Sequence, residues 1–248
     1  MPLKSNIEWK QWGKDDPLFG VASWSGKQKT GSAPWKEEEF YALGKSDWCD
    51  FFEHWKQYGI QNGTCVEIGC GAGRMTHALA NFFERVVAID VSDGMIEQAR
   101  KFAGKNVEFL LVDEPQIPLG DSSTSAVFST HVFQHFDSIK IGHDYFREIY
   151  RVLKSNGSLM IHIPLYQFPY EHGIWNFLWQ PIYAFVRIMN CIKNNLRRLL
   201  KIKTMCFTPY SLKLLVNFLF KIGFKRIEYR IFPTSSNLEL HSFIFATK

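Results

Sequence analysis

The chain has 248 residues, of which 46% are hydrophobic, 16% aromatic and 21% charged. This composition excludes disordered, collagen-like and coiled-coil proteins, and the length suits one large domain or two small ones. The net charge of +5 is unevenly placed, because residues 172–227 hold ten lysines and arginines and no acid, leaving a net charge of −5 on the rest. The sequence therefore combines a mildly acidic body with one basic segment.

Cysteine usage and hydropathy predict a cytoplasmic protein. The five cysteines form no C-x-x-C pair and no spacing typical of metal ligands, so we expect reduced thiols and no bound metal. The first ten residues contain no apolar run of the kind found in signal peptides. No stretch reaches the roughly 18–20 apolar residues that a membrane-spanning helix requires.

Residues 1–60 hold six of the eight tryptophans and differ in pattern from the rest of the chain. We predict that they begin irregularly and form a loop across residues 20–34, where Gly, Ser, Lys and Pro dominate. Two short helices are predicted at residues 36–43 and 47–58.

From residue 63 onward, short β-branched and apolar runs alternate with helical segments, which indicates a parallel sheet covered on both faces. A long segment, residues 164–207, then separates the fifth strand from the closing elements, and the last two strands are expected to pair at one edge. The predicted strands are 64–68, 85–89, 107–112, 125–129, 158–163, 224–231 and 238–246. The predicted helices are 74–83, 92–102, 139–153 and 210–222.

The most informative segment is Glu67-Ile68-Gly69-Cys70-Gly71-Ala72-Gly73-Arg74, which follows a strand and opens a helix. Glycines let the backbone approach a ligand and adopt positive φ, which suits a nucleotide site at the carboxyl edge of a parallel sheet. In the dinucleotide pattern G-x-G-x-x-G the third glycine would come one residue later, where Arg74 stands. An acid also stands two residues before the first glycine.

The resulting pattern, E-x-G-x-G-x-G, resembles motif I of the class I S-adenosylmethionine (SAM)-dependent methyltransferases. Later segments resemble the family in order and spacing: Val86-Val87-Ala88-Ile89-Asp90, Ser92-Asp93-Gly94-Met95, Leu110-Leu111-Val112-Asp113, Gln134-His135, Arg151-Val152-Leu153-Lys154 and Gly223-Phe224. The resemblance covers about residues 60–165 and 207–248 and points to the methyltransferase-11-like branch that acts on small molecules.

The resemblance implies an α/β fold with a Rossmann-like, seven-stranded, mostly parallel sheet of order 3-2-1-4-5-7-6, its last-placed strand antiparallel. It also implies SAM as cofactor, with Asp90 accepting the ribose hydroxyls, Met95 near the adenine and Asp113 bonding the adenine amino group. The full set of expected cofactor-binding residues is Glu67, Gly69, Cys70, Gly71, Gly73, Arg74, Asp90, Val91, Met95, Asp113, Glu114 and Ser129.

We expect residues 1–60 to form a lid of helices and residues 61–248 the methyltransferase domain, with a helical cap at 164–207. The candidate bases are His131, His135 and His162, which lie at the carboxyl ends of strands four and five; His131 ranks first and His162 is more simply a core or wall residue. The candidate substrate-binding residues are Trp9, Trp12, His131 and Tyr166. Methyl transfer needs chiefly alignment and desolvation, so a base is required only for a weakly nucleophilic acceptor.

The cap pattern is that of a basic amphipathic helix or helix pair. It fits a cover over the active site, a peripheral membrane contact or a docking site for an acidic molecule, and no sequence-specific nucleic-acid binding is expected. We therefore predict O- or N-methylation of a small or lipid-like, apolar or acidic metabolite by a monomer or homodimer. A non-catalytic SAM-fold binding protein and an NAD-dependent oxidoreductase remain as alternatives.

Overall fold

The computed structural model describes residues 3–166 and 207–248. Its centre is a seven-stranded sheet. Counted from 1 to 7 within this sheet alone, in chain order, the strands follow the predicted order 3-2-1-4-5-7-6. The last strand of the chain is antiparallel to both neighbours, and the other pairings are parallel. The predicted fold class is therefore confirmed.

Helices and strands are numbered in chain order. The described helices are α1 (Lys4–Asp15), α2 (Pro17–Val21), α3 (Glu37–Trp55), α4 (Thr76–Phe82), α5 (Asp93–Arg100), α6 (Ile139–Val152) and α7 (Leu212–Ile222), with short 3-10 helices at Lys56–Tyr58 and Phe133–His135. The large sheet contains β1 (Thr64–Ile68), β2 (Arg85–Asp90), β3 (Val107–Leu111), β4 (Thr124–Ser129), β5 (Leu153–His162), β8 (Lys225–Pro233) and β9 (Leu240–Thr247). A second sheet pairs β6 (Leu165–Tyr166) with β7 (Tyr210–Ser211).

The sheet has an apolar layer on each face, as its nearly continuous apolar strands require. On one face, Phe146 and Ile149 of α6 and Leu219 of α7 pack against strand residues. On the other face, Trp48, Phe51 and Trp55 of α3 pack with residues of α4 and the sheet, and this layer is rich in aromatic rings. The carboxyl edge of the parallel strands is left free for a site.

The N-terminal segment is helical from residue 4, so the prediction of an irregular start was wrong. Helix α1 lies against α5 at a close approach, because a Cβ atom on Gly13 would come within 2.2 Å of the Ser92 hydroxyl. Tyr41 and Phe40 of α3 join Met95 and Trp35 in a third apolar cluster, which holds this segment on the domain. Amphipathic periodicity in α1 is masked by its many polar residues, which explains why the sequence did not reveal it.

One continuous helix, α3, replaces the two short helices predicted at 36–43 and 47–58. Gly44 and Ser46 resemble a helix boundary in sequence. A glycine is nevertheless needed at position 44 inside the helix, because a Cβ atom there would lie 1.9 Å from the carbonyl oxygen of Arg74. The helix ends through the 3-10 turn at Gly59, whose φ of 73° suits a glycine stop.

Most of the predicted insertion, residues 167–206, lies outside the described residues, as do its predicted cap helices. Across the described ranges, none of the helices is both long enough and apolar enough to cross a membrane. The closing pair β8 and β9 is antiparallel at one edge, as predicted.

Candidate active site

A cavity of about 320 Å³ opens at the carboxyl ends of the parallel strands. One end, which we call the cofactor end, is formed by Gly69, Gly71, Asp90 and Val91 on the loops after β1 and β2. The lining also includes residues of α1, of the loop after β4 and of the β8–β9 connection. The volume of the cavity lies within the range of about 300–1,000 Å³ that is usual for small-molecule sites.

The glycine turn and Asp90 form one hydrogen-bonded unit at the cofactor end. Gly69 and Gly71 have φ values of 71° and 52°, which disfavour residues with a side chain. The Asp90 carboxylate accepts hydrogen bonds from the backbone N–H groups of Gly71 (2.7 Å) and Ser92 (2.9 Å). Burial raises the pKa of Asp90, and these backbone hydrogen bonds oppose the rise by favouring the charged form.

Several predicted cofactor residues support the turn from behind instead of lining the cavity. Glu67 is buried and accepts a hydrogen bond from the Thr76 hydroxyl at 2.6 Å, and burial raises its pKa to about 8. The Ser129 hydroxyl donates to the carbonyl oxygen of Ile68 at 2.8 Å. Cys70 is buried, which raises the pKa of its thiol.

Gly73 serves helix packing, because a Cβ atom at this position would lie 2.9 Å from the Cβ of Ala99. Its neighbour Arg74 lines the cavity and forms a buried ion pair with Asp47 of α3. The second oxygen of Asp47 accepts a hydrogen bond from the Ser236 hydroxyl at 2.6 Å. Arg74 therefore links the glycine turn to α3 and to the β8–β9 connection.

The remaining predicted cofactor residues lie at the edge of the site. Met95 is buried in the apolar cluster under the N-terminal segment. Asp113 and Glu114 are outside the lining of the main cavity and border a neighbouring depression. The Asp113 carboxylate pairs with Lys10 at 2.7 Å, and its carbonyl oxygen accepts a hydrogen bond from the Asn6 amide at 2.7 Å.

The part of the lining that we call the acceptor end is formed by Asn6, Trp9, His131, His135 and His241. The Trp9 and His135 rings meet edge to face with centroids 5.1 Å apart. His131 and His135 thus lie on the predicted side of the cavity, whereas Trp12 packs against Phe19 within the N-terminal segment and does not line it. The side chain of Tyr166 lies outside the described part of the structure.

Three histidines, His131, His162 and His241, stand together at the acceptor end. Their ring centroids are 4.3 Å apart for His131 and His162, 5.2 Å for His131 and His241, and 5.9 Å for His162 and His241. Burial, followed by the proximity of the other imidazoles and Arg74, lowers the pKa of His131 well below its usual value. Burial likewise lowers the pKa of His162 to about 3 and lowers that of His241. All three rings are neutral near pH 7.

Sequence reasoning missed several residues of the cavity wall. Asn6, Asp47 and His241 come from α1, α3 and β9, and Asn237 and Glu239 come from the β8–β9 connection. None of them belongs to a short motif, and only the three-dimensional fold brings them to the site. Asp47 gives no such signal either, because Lys45, Ser46 and Asp50 surround it in the sequence.

Comparison with known proteins agrees with this geometry. Residues 66–161, which contain the glycine turn, Asp90, His131 and His135, match the family described as "Methyltransferase domain". Residues 66–161 are thus similar to SAM-dependent methyltransferases, and this segment holds both the glycine turn and the loop after β4.

A curated relative of this methyltransferase domain is the malonyl-[acyl-carrier protein] O-methyltransferase of Hahella chejuensis, 34% identical over 117 residues, which are 44% of this chain and 41% of that protein. The chain spans less than half of the length of the first curated relatives it matches.

Two solved structures illustrate the shared fold. A SAM-dependent methyltransferase from Aquifex aeolicus gives a TM-score of 0.50 with 20% identity, covering 84% of this chain and 97% of that one. Phosphoethanolamine N-methyltransferase 1 of Haemonchus contortus, in complex with phosphoethanolamine and S-adenosylhomocysteine, gives a TM-score of 0.58 with 14% identity. This structural match covers 98% of this chain and 48% of the Haemonchus contortus chain.

The cofactor of the methyltransferase family is SAM, and the cofactor end suits it. The Asp90 carboxylate lines the cavity beside the glycine turn, whose Gly69 and Gly71 line it as well. A ribose offers two hydroxyl donors to such a carboxylate, and hydrogen bonds to a charged acceptor are strong. The fit thus rests on a carboxylate and a turn that the chain places together.

Proposed function

We propose that the protein transfers the methyl group of SAM to an oxygen or nitrogen atom of a small or lipid-like acceptor. The observation that carries this proposal is one cavity with two chemically distinct ends: Asp90 and the glycine turn at one end, aromatic and imidazole side chains at the other. SAM supplies an activated methyl group, and the chain contributes alignment and exclusion of water.

The acceptor end favours a molecule with an apolar part. Trp9 lines it together with His131 and His135, and the charged Arg74 is already paired with Asp47. The similar proteins named above act on a carrier-bound malonyl group and on phosphoethanolamine, which are oxygen and nitrogen acceptors respectively. Both acceptor types therefore belong in the first screen.

His131 and His135 are the chain's candidates for accepting a proton from the acceptor. A neutral imidazole can take a proton, and the lowered pKa of His131 keeps its ring neutral but also weakens it as a base. His135 lies against Trp9, so closure of the N-terminal segment would fix its ring. We propose this N-terminal segment as the lid of the site, because it supplies Asn6 and Trp9 to the cavity wall.

The proposal is tested in two steps with the full chain. Isothermal titration calorimetry with SAM, S-adenosylhomocysteine and NAD should show binding of the first two and none of NAD. A screen with SAM carrying a labelled methyl group, against metabolite extracts and against acyl-carrier and phosphoethanolamine acceptors, should then transfer label. NAD binding without S-adenosylhomocysteine binding would overturn the proposal, and cofactor binding without transfer to any acceptor would favour a binding protein.

A further inference from the structure

The three histidines at the acceptor end come from the ends of three neighbouring strands. His131 follows β4, His162 is the last residue of β5, and His241 is the second residue of β9. Because β4 pairs with β5 and β5 pairs with β9, their side chains converge at one edge of the sheet. One ring nitrogen of each residue lies within 4.8 Å of the corresponding nitrogens of the other two.

Two of these rings have polar atoms that no described group satisfies. His162 Nδ1 and His241 Nε2 are buried without a hydrogen-bond partner among the described residues. A buried polar atom without a partner costs free energy, and such atoms are uncommon in folded proteins. The same cluster includes His131, which is not a glycine and yet has a φ of 58°.

Ring packing alone does not account for the cluster. His162 also meets Phe243, with centroids 5.3 Å apart, and His241 meets Phe51 at 6.2 Å. These contacts involve ring faces and edges, and they leave the two nitrogens unsatisfied. The two buried nitrogens therefore require an explanation beyond ring packing.

We infer that His131, His162 and His241 bind one divalent transition-metal ion such as Zn²⁺, with a coordination position open to the cavity. Three imidazoles and one exchangeable ligand are a common donor set for zinc, and nitrogen donors favour it over Mg²⁺ and Ca²⁺. His131 and His241 line the cavity, so the open position faces the acceptor end.

The three ring nitrogens must move closer together to bind one zinc ion. Tetrahedral zinc with Zn–N bonds of about 2.0–2.1 Å brings its ligand nitrogens to about 3.3–3.4 Å from one another. The present spacing of up to 4.8 Å is closed by rotation of the imidazoles toward a common point.

The charges around the cluster are balanced in a way that tolerates a cation. Asp47 and Glu239 line the same cavity and present carboxylates, whereas Arg74 opposes a cation but is neutralised by its ion pair with Asp47.

The metal site stands on these contacts alone, while its role toward the acceptor rests on the proposed function. A hydroxyl bound to the open position would release its proton to solvent more readily, because coordination lowers its pKa. Its oxygen would then bond to the methyl carbon as the bond from that carbon to the SAM sulfur breaks, and the bonding pair would stay on the cofactor as a neutral thioether. The acceptor class is therefore one with a metal-coordinating hydroxyl.

Cobalt titration tests the site. The full chain, freed of metal by chelator dialysis, should bind one Co²⁺ per chain and develop the visible absorption of a low-coordinate Co²⁺–imidazole centre. His162→Phe and His241→Phe should each weaken binding by roughly 100-fold or more, since even outer-shell partners of a metal contribute about 10–100-fold. His77→Ala, which removes an exposed histidine outside the cluster, should leave binding unchanged.

A second measurement guards against misfolded variants. In the wild-type chain, addition of Zn²⁺ should shift the side-chain ¹⁵N resonances of three histidines, which single-residue variants assign to positions 131, 162 and 241. Failure to bind one ion per chain would overturn the inference. So would shifts at other histidines, or a near-ultraviolet charge-transfer band that places Co²⁺ on a cysteine. S-Adenosylhomocysteine binding, measured in parallel, reports on the proposed function separately.

Discussion

The two ends of the cavity are built in different ways. The cofactor end comes from one short stretch, the loops after β1 and β2, in which Asp90 holds the backbone of Gly71 and Ser92. The acceptor end is assembled from α1, the loop after β4 and the start of β9, and His131 and His241 are 110 residues apart in the chain. A local motif thus fixes the cofactor end, whereas the packing of distant elements fixes the acceptor end.

Arg74 connects these two ends. It leaves the glycine turn, pairs with Asp47 of α3, and reaches the β8–β9 connection through the hydrogen bond between Asp47 and Ser236. If the ends depend on each other, the connection runs through this buried pair.

The largest expected effect is therefore that of Arg74→Met on stability. The substitution leaves Asp47 as a buried, unpaired charge, so the free energy of unfolding should fall by about 3–5 kcal/mol. Urea unfolding followed by circular dichroism measures the change. The matched control is Arg85→Met, which breaks an exposed pair with Glu108 and should cost only about 0–1 kcal/mol.

The double variant Arg74→Met/Asp47→Leu sharpens the test. Removing both charges should restore part of the lost stability, because no buried charge then lacks a partner. Equal losses for Arg74→Met and Arg85→Met would contradict the idea that the buried pair stabilises the fold.

The second prediction concerns the cofactor end alone. Asp90→Ala removes the carboxylate that faces the cavity, and the affinity for S-adenosylhomocysteine should fall by about 100-fold or more, since two hydrogen bonds to a charged group are lost. Calorimetry measures the change. Asp93→Ala, at an exposed position in the first turn of α5, is the matched control and should retain affinity.

The variant Asp113→Ala tests whether the role that the resemblance assigns to Asp113 agrees with its position in the structure. The resemblance assigns Asp113 to the adenine, but in the structure its carboxylate pairs with Lys10 outside the main cavity. We expect its effect on affinity to be much smaller than that of Asp90→Ala. An equal loss would show that Asp113 turns into the site when the cofactor binds, and unchanged affinity in Asp90→Ala would refute the location of the cofactor end.

The success of sequence reasoning follows the same division. The glycine turn, helix α5 and the closing strand pair were predicted, because each depends on residues that are adjacent in the sequence. Helix α1, the continuity of α3 and the cavity residues of the β8–β9 connection were not predicted, because they depend on contacts between elements. Gly44 is an example: it resembles a helix boundary until the carbonyl oxygen of Arg74 is seen beside it.

The last prediction tests the support beneath the glycine turn through its dependence on pH. Burial raises the pKa of Glu67 from 4.5 to about 8, so the folded chain holds a proton there that the unfolded chain has released between these two pH values. Stability must then fall as pH rises through this window, by up to about 1.4 kcal/mol per pH unit, and the loss is complete above pH 8.

Glu67→Gln carries no such proton. The stability of Glu67→Gln relative to wild type should therefore increase from about pH 5 to pH 8 and then level off, because the neutral amide escapes the cost of burying a charge. Urea unfolding of both chains across this range measures the difference, from which the contributions of the other titrating groups cancel. A difference that does not change with pH would mean that Glu67 ionises equally in both states and that the turn rests on a charged carboxylate.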